Sequence, residues 1–234
     1  AYYNGNGIII PDPSTTKIGS AEYMGDKISA IILANLEESA MESAKPTALH
    51  TVCGRSILDY VLLAAAQVSD TLPVVVAPQE VGCILKHLDE SCENGRNFRH
   101  MIPDDGQSAA EGLIQAVDCI EEPFGYTFVL SGNIPLVQAS TLRAMFLFAK
   151  ENCLDAVEAG GLSFLPVVCF QNKALLEVKK AISSWELGKQ YLPGDILRTL
   201  KECGKRTGIY RIHDSSEFLE VQDRVCLADA DALM

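Results

Sequence analysis

The chain lacks the patterns that mark several large classes of protein. None of its eight cysteines belongs to a Cys-x-x-Cys pair, and no cysteine and histidine set has zinc-finger spacing. A Gly-x-Ser-x-Gly motif is absent, and no spacing suggests a Ser-His-Asp or Cys-His set. These absences argue against a zinc module and a nucleophilic hydrolase. Most of the cysteines stand in apolar runs, which predicts buried, reduced thiols in a cytosolic protein.

Positive charge and long apolar runs are also scarce. The chain has 19 Lys and Arg against 31 Asp and Glu, a formal net charge of −12, and its densest basic cluster is only Lys201, Lys205 and Arg206. An acidic surface repels nucleic acid at long range. No apolar stretch reaches the ~20 residues that span a bilayer, and residues 1–7 are polar with no signal-peptide core. We therefore expect no nucleic-acid or membrane partner and a cytoplasmic location.

The 234 residues contain 48% hydrophobic residues, enough for one large domain with a sizeable core. Short β-branched runs alternate with amphipathic segments of helical length, which predicts an α/β fold with a mostly parallel sheet covered on both faces. Strands are predicted at 28–34, 72–77, 126–130, 165–170 and 206–212. Helices are predicted at 56–68, 79–88, 107–119, 138–150, 173–183, 195–203 and 222–233.

Local signals refine this pattern. Ser56 is the expected N-cap of the first helix with Asp59 at the capping-box position, and Asp223 is expected to cap the last helix. Residues 1–27 contain a stretch rich in Pro, Ser and Thr with no helical period, and we predict an extended N-terminal arm or linker followed by a domain at 28–234. In parallel α/β sheets, ligands bind outside the carboxyl ends of the strands. The loops at 35–47, 78–79, 103–107 and 131–137 should share that edge.

Several segments resemble one enzyme family at its own spacing. Residues 33–50 read LANLEESAMESAKPTALH and are followed by VCGRSIL, residues 130–136 read LSGNIPL, and residues 219–228 read LEVQDRVCLA. Together they resemble the bacterial N-acetylglucosamine-1-phosphate uridylyltransferases (UDP-N-acetylglucosamine pyrophosphorylases), which are sugar nucleotidyltransferases. The resemblance covers about residues 28–234. It implies a Rossmann-like, glycosyltransferase-A-like three-layer sandwich and a nucleotide or nucleotide sugar as ligand.

The arm carries a resemblance of its own. Residues 7–19 resemble the segment that follows the transferase domain in that family and opens a left-handed β-helix, although here it precedes the domain. A rearranged or permuted gene is one explanation, and chance similarity of a Pro-rich strand is the other. The resemblance implies a homo-oligomer or a β-helix partner as the assembly.

The chain departs from the family at the positions that carry its chemistry. The Gly-x-Gly turn that brings backbone amides to the phosphates is replaced by Leu36 and Glu38, and the family's catalytic Arg and Lys correspond to Ala40 and Thr47. Its two metal ligands, Asp and Asn, correspond to Asn133 and Gln222. Because Mg²⁺ prefers hard anionic oxygen, we predict no confident metal site, with Mg²⁺ as the cofactor only if the protein is active.

The resemblance also implies where a nucleotide would bind. The candidate residues are those after the first strand and those at the turn where the family reads the base, namely Leu33, Ala34, Asn35, Gly106, Gln107 and Ser108. Gly106 would still permit close approach, while Gln107 and Ser108 offer hydrogen bonds to a base.

Three hypotheses follow. The leading one is a pseudoenzyme: the nucleotidyltransferase fold kept as a nucleotide-sugar-binding, regulatory or assembly module without effective catalysis. The second is an active sugar-1-phosphate nucleotidyltransferase with a rebuilt site. Its metal would be held among Asp104, Asp105, Asp195 and Asp223, with charge from Lys45, Lys189 or Arg198. The third is a structural role exerted through the N-terminal arm.

Overall fold

The computed structural model describes residues 2–3, 9–10, 26–34, 40–77, 82–93, 97–103, 109–120, 124–160, 166–182 and 193–234. The strands are β1 Tyr2–Tyr3, β2 Ile9–Ile10, β3 Lys27–Leu33, β4 Thr51–Val52, β5 Arg55–Ser56, β6 Val74–Val76, β7 Arg99–Met101, β8 Gly125–Ser131, β9 Ala156–Gly160, β10 Val167–Gln171 and β11 Thr207–Arg211. The α-helices are α1 Ile57–Val68, α2 Gly82–Glu93, α3 Ala109–Val117, α4 Ala139–Glu151, α5 Asn172–Ile182, α6 Pro193–Glu202 and α7 Arg224–Leu233. Short 3₁₀ helices occupy Thr47–Leu49 and Ser215–Phe218. Within these ranges no helix has the length and apolar character needed to cross a membrane.

One mixed sheet organises the fold. Its strand order is β1-β2-β11-β9-β10-β8-β3-β6-β7, while β4 and β5 form a separate hairpin. Strands β7, β6, β3 and β8 run parallel to one another. Strand β10 is antiparallel to both of its neighbours, β8 and β9, and β9 and β11 pair in parallel. The predicted α/β class with a mostly parallel sheet is confirmed.

The sheet is covered on both faces because successive side chains of its central strands point in opposite directions. On one face Ile32 of β3 and Phe128 of β8 join a buried cluster that includes Leu58 of α1. On the other face Ile31 and Val129 join a second buried cluster with residues of α3, α5 and α6. The result is a three-layer arrangement of helices, sheet and helices.

Besides β1 and β2 of the arm, two strands of the sheet escaped the sequence prediction. Strand β7 is a three-residue strand at the margin of the sheet and reads Arg-His-Met, so it has no apolar run. Strand β9 reads Ala-Val-Glu-Ala-Gly and is poor in β-branched and aromatic residues. Tertiary pairing with β6, β10 and β11 overrides this weak local preference.

The two predicted helix caps are confirmed. The Ser56 hydroxyl accepts a hydrogen bond from the Asp59 N–H at the start of α1. The Asp223 carboxylate accepts from the Cys226 N–H at 2.8 Å at the start of α7. Such caps satisfy helix N–H groups that have no partner within the helix.

The cysteine prediction was wrong in one respect. Among the seven cysteines whose environment the structure describes, Cys169 is buried, whereas Cys53, Cys83, Cys153 and Cys203 are exposed. Apolar neighbours in sequence did not imply burial, because Cys53 and Cys153 stand at tight turns with positive φ.

The described parts of the N-terminal arm are extended. Strand β2 pairs in parallel with β11, with Ile9 opposite Gly208, and β1 pairs with β2. These residues prolong the sheet beyond β11. The boundary of the arm at residue 27 stays a prediction.

Candidate functional site

The carboxyl ends of the central strands form one continuous edge. The Ala34 N–H donates to the Val76 carbonyl at 2.9 Å, and the Gly132 N–H donates to the Leu33 carbonyl at 2.8 Å. Position 132 has little room for a larger residue, because a Cβ atom there would lie 3.0 Å from the Leu33 carbonyl oxygen. The edge where α/β sheets bind ligands is therefore closely packed backbone, with Leu33 and Ala34 buried within it.

The two positions matched to the family's metal ligands meet at this edge. The backbone carbonyl of Asn133 accepts a hydrogen bond from the Val221 N–H at 2.9 Å, which places the neighbouring Gln222 beside the β8 end. The Asn133 backbone N–H donates to the Ser131 hydroxyl at 3.3 Å. The side-chain oxygen Oδ1 of Asn133 is buried and has no hydrogen-bond partner among the described residues. An orphaned buried acceptor costs stability, so its retention calls for a reason such as a ligand or an ordered water.

A carboxylate that the sequence reasoning overlooked also lies here. Glu220 is half-buried, and its two carboxylate oxygens accept hydrogen bonds from the Ser131 hydroxyl at 2.7 Å and from the Gln222 side-chain N–H at 3.0 Å. In the family segment L-G-V-N-D-R this position is glycine, so a comparison limited to the family's functional positions passes over it. The signal was an acid two residues before Gln222, the position matched to a metal ligand of the family.

Arg224 ties the segment after β3 to the start of α7. Its guanidinium donates from Nε to the Met41 carbonyl at 3.1 Å and from Nη2 to the Glu42 carbonyl at 3.3 Å. The backbone of Glu42 has a φ of 48°, a conformation that non-glycine residues rarely adopt. The Ala40 N–H adds a bond to the Gln222 carbonyl at 3.1 Å. The positive charge of Arg224 is thus directed at backbone carbonyls.

The positions matched to the family's catalytic cations provide none here. Ala40 is exposed and contributes its backbone to the contact with Gln222. Thr47 is 3% exposed and opens the first 3₁₀ helix, so its side chain belongs to the interior.

Three of the residues proposed for a rebuilt site, Asp195, Arg198 and Asp223, have other partners in the structure. Asp195 and Arg198 pair with each other on α6, with Nη2 2.8 Å from Oδ1. Asp223 caps α7, and the hydrogen bond from the Cys226 N–H lowers the pKa of its carboxyl group. Lys45 lines a cavity beside the β4–β5 hairpin, away from this edge. Asn35, Gly106, Gln107, Ser108, Asp104, Asp105, Lys189, Leu36 and Glu38 lie outside the described residues.

The edge can be tested for its fit to the Mg²⁺ that the resemblance implies. Its described oxygen groups are the orphaned amide of Asn133, the amide of Gln222 and the carboxylate of Glu220, both of whose oxygens already accept hydrogen bonds. Across the described ranges no group of three or more His, Cys, Asp or Glu side chains is arranged to hold a metal ion. One engaged carboxylate and two neutral amides do not fit a cation that prefers hard anionic oxygen.

Comparison with known proteins gives a consistent relationship at low identity. No family profile matches the chain. The chain is 25% identical over 246 residues to the bifunctional protein GlmU of Brevibacillus brevis, covering 89% of this chain and 52% of the relative. It is 27% identical over 240 residues to GlmU of Lactobacillus helveticus, covering 87% and 51% respectively. The chain thus spans about half the length of the curated relatives that it matches.

Solved structures share the fold. The 4-diphosphocytidyl-2C-methyl-D-erythritol synthase of Anaerococcus prevotii aligns with a TM-score of 0.65 and 14% identity, over 89% of this chain and 96% of that one. The molybdopterin-guanine dinucleotide biosynthesis protein A of Archaeoglobus fulgidus aligns with a TM-score of 0.62 and 15% identity, over 88% and 97%. A CMP:2-keto-3-deoxy-manno-octonic acid synthetase in complex with CTP aligns with a TM-score of 0.62 and 12% identity, over 89% of this chain and 98% of that one. At these identities the likeness establishes the fold alone.

Proposed function

We propose that this protein binds a nucleotide or a nucleotide sugar at the strand-end edge and does not transfer nucleotidyl groups effectively. It would act as a binding, regulatory or assembly module built on a nucleotidyltransferase fold related to UDP-N-acetylglucosamine pyrophosphorylase. The similarity to GlmU supports the relationship, and the synthetase solved with CTP supports a nucleotide as the class of ligand for this fold.

One observation carries the proposal. The position matched to the family's metal-binding carboxylate is Asn133, whose side-chain oxygen is buried without a partner among the described residues. The carboxylate of Glu220 at the same edge is engaged by Ser131 and Gln222. Phosphoryl chemistry requires charge to be neutralised as the transition state forms. Neither Ala40 nor Thr47 supplies a cation. Among the described residues, the edge thus keeps its backbone framework without the groups that would act on the phosphates.

The test is an assay of diphosphate release from UTP and N-acetylglucosamine 1-phosphate with Mg²⁺, using GlmU of Brevibacillus brevis as the active control. We expect no release above the protein-free blank from this chain. Binding of UDP-N-acetylglucosamine by the same preparation, measured calorimetrically, should show that the protein is folded and competent to bind. Turnover that scales with protein concentration would overturn the proposal.

The presence of the Glu220 carboxylate at this edge favours one alternative, an active sugar-1-phosphate nucleotidyltransferase with a rebuilt site. Glu220 would have to exchange its hydrogen bond from Gln222 for a cation. In that case Glu220→Gln would abolish turnover, whereas Asp195→Asn on α6 would leave it unchanged. If the wild type shows no turnover, this alternative fails without the need for either variant.

The assembly and the cellular location belong to the same proposal. We propose a cytoplasmic protein that forms a homo-oligomer or contacts a β-helix partner through its N-terminal arm, whose strand β2 pairs with β11 at the margin of the sheet. Deletion of residues 1–20 should change the oligomer mass, and hence the number of protomers in the assembly, measured by light scattering after size exclusion. An unchanged mass would remove the arm from the assembly.

A further inference from the structure

A cavity away from the strand-end edge, which we call the hairpin cavity, lies between the β4–β5 hairpin, helix α2 and the N-terminus of α1. Its volume is about 400 Å³, and its walls include Lys45, Gly54, Arg55, Ser56, Asp59 and His87. This volume is in the range of small-molecule sites. None of these residues belongs to the strand-end edge.

The floor of the hairpin cavity is a fixed polar cluster. His87 Nε2 lies 3.2 Å from the Ser56 hydroxyl and 3.2 Å from Asp59 Oδ1, and Asp59 is 8% exposed. Because the same ring nitrogen faces a carboxylate, it must carry a proton and donate. It therefore does not accept the proton of Ser56, whose hydroxyl already caps α1 by accepting from the Asp59 N–H. This arrangement orients groups and does not activate a nucleophile.

The rim of the hairpin cavity carries two cations that have no acidic partner among the described residues. Lys45 and Arg55 are both exposed, and within the described ranges neither charged group forms an ion pair or a hydrogen bond. Arg55 lies over the ring of Tyr60, with Cζ 5.2 Å from the ring centroid, which holds the guanidinium at the rim.

Several other basic residues of the described ranges form ion pairs. Lys150 lies 2.7 Å from Asp26, Lys201 lies 3.3 Å from Glu158, and Lys86 lies 3.9 Å from Glu90. In a protein with 31 acidic residues and a net charge of −12, two exposed cations that form no ion pair with any described residue, both lining one concave surface, are a local reversal of sign. The positive end of the α1 dipole, at the same cavity, adds to that reversal.

The shape of the hairpin cavity leaves room for a ligand group. Gly54 at the hairpin turn has a φ of 80°, and a Cβ placed on it would meet no atom within 4 Å. The space above the turn is therefore open. At the floor, the hydrogen bond that His87 Nε2 donates to Asp59 Oδ1 engages one oxygen of that carboxylate.

We propose that the hairpin cavity binds a phosphate group, held by the ammonium of Lys45 and the guanidinium of Arg55. Arginine and lysine recognise phosphate through charge-assisted hydrogen bonds, with the planar guanidinium able to donate two in parallel. The volume of about 400 Å³ exceeds that of a free phosphate ion, so the cavity also has room for a small phosphate monoester. The site is independent of nucleotide binding at the strand-end edge.

The test is titration of ¹⁵N-labelled protein with inorganic phosphate and with glycerol 3-phosphate at constant ionic strength, followed by two-dimensional NMR. We expect saturable shifts of the backbone signals of residues 51–56 and of the Arg55 side-chain N–H. Lys45→Gln and Arg55→Gln should each weaken binding about tenfold or more. Tighter binding of glycerol 3-phosphate would identify a monoester as the ligand, and tighter binding of phosphate would identify the free ion.

Lys86→Gln is the matched control, because Lys86 is an exposed lysine of α2 next to His87 in the chain and lies outside the cavity wall. It should leave the affinity unchanged. Equal weakening by Lys86→Gln and Arg55→Gln would mean general charge attraction and would overturn the proposal. Shifts that do not saturate, or that are spread over the surface, would also overturn it. The spectra themselves report whether each variant is folded.

Discussion

Removal of the Arg224 guanidinium should loosen the segment after β3. Arg224→Ala deletes two charge-assisted hydrogen bonds, to the carbonyls of Met41 and Glu42. Because Arg224 is exposed, we take the lower end of the usual range and expect a loss of about 1–2 kcal/mol in the free energy of unfolding. For a chain of this size that corresponds to a decrease of roughly 2–8 °C in the melting temperature.

The assay is urea unfolding monitored by circular dichroism. The dependence of the free energy of unfolding on urea concentration is compared between variants to confirm that unfolding exposes the same surface. Arg224→Lys keeps the charge but not the planar guanidinium that donates two hydrogen bonds, so it should restore only part of the lost free energy of unfolding. Arg198→Ala removes an exposed guanidinium that pairs with Asp195 and should cost less than about 0.5 kcal/mol. If Arg224→Ala unfolds within about 0.3 kcal/mol of the wild type, the guanidinium does not anchor this segment and our account of the edge is wrong.

Three further predictions concern the framework. Ser56→Ala removes the α1 cap and should lower the free energy of unfolding by about 1 kcal/mol, as measured by urea unfolding. Gly125→Ala should be more damaging, because φ is 140° and the new Cβ would lie 2.3 Å from the Lys27 carbonyl oxygen; its melting temperature should fall clearly below that of the wild type. The pKa of the Asp223 carboxyl group is lowered in the folded protein, so its ionised form stabilises the fold. This stabilisation is present above the unfolded-state pKa of about 3.9 and is lost as the pH falls through the pKa of the folded state. Asp223→Asn should therefore lose less free energy of unfolding than the wild type between about pH 5 and pH 2.

Each of these predictions has a contrary result. An Ser56→Ala variant as stable as the wild type would mean that the hydroxyl does not support α1. A stable Gly125→Ala variant would show that β3 and β8 can separate to admit a methyl group. Identical acid unfolding of wild type and Asp223→Asn would mean that this carboxyl group does not contribute to acid sensitivity.

The central strands and most helices could be predicted from sequence because their local signals agree with their tertiary environment. Strand β8 is buried along its whole length and has an apolar, aromatic sequence. The cap residues Ser56 and Asp223 act over three residues, which is a distance that a sequence pattern can capture. Strand β9 was missed because its two alanines and terminal glycine carry little β preference, and its pairing with β10 and β11 decides its conformation.

The site could be predicted only in part, for a related reason. Family spacing pointed to Asn133 and Gln222, but the engagement of Glu220 by Ser131 joins residues 89 positions apart. The hairpin cavity likewise depends on the contact between Ser56 and His87, 31 positions apart in the chain. Neither contact has a periodic or local signature, so neither follows from the order of residues alone.

The most direct test of the proposed function is isothermal titration of the purified protein with UTP and with UDP-N-acetylglucosamine, each with and without Mg²⁺. The account predicts binding of the nucleotide sugar with an affinity that Mg²⁺ does not increase, since the described edge does not fit the ion. Binding that requires Mg²⁺ would contradict this and would support a rebuilt catalytic site. No heat with either ligand at high micromolar concentration would contradict nucleotide binding itself.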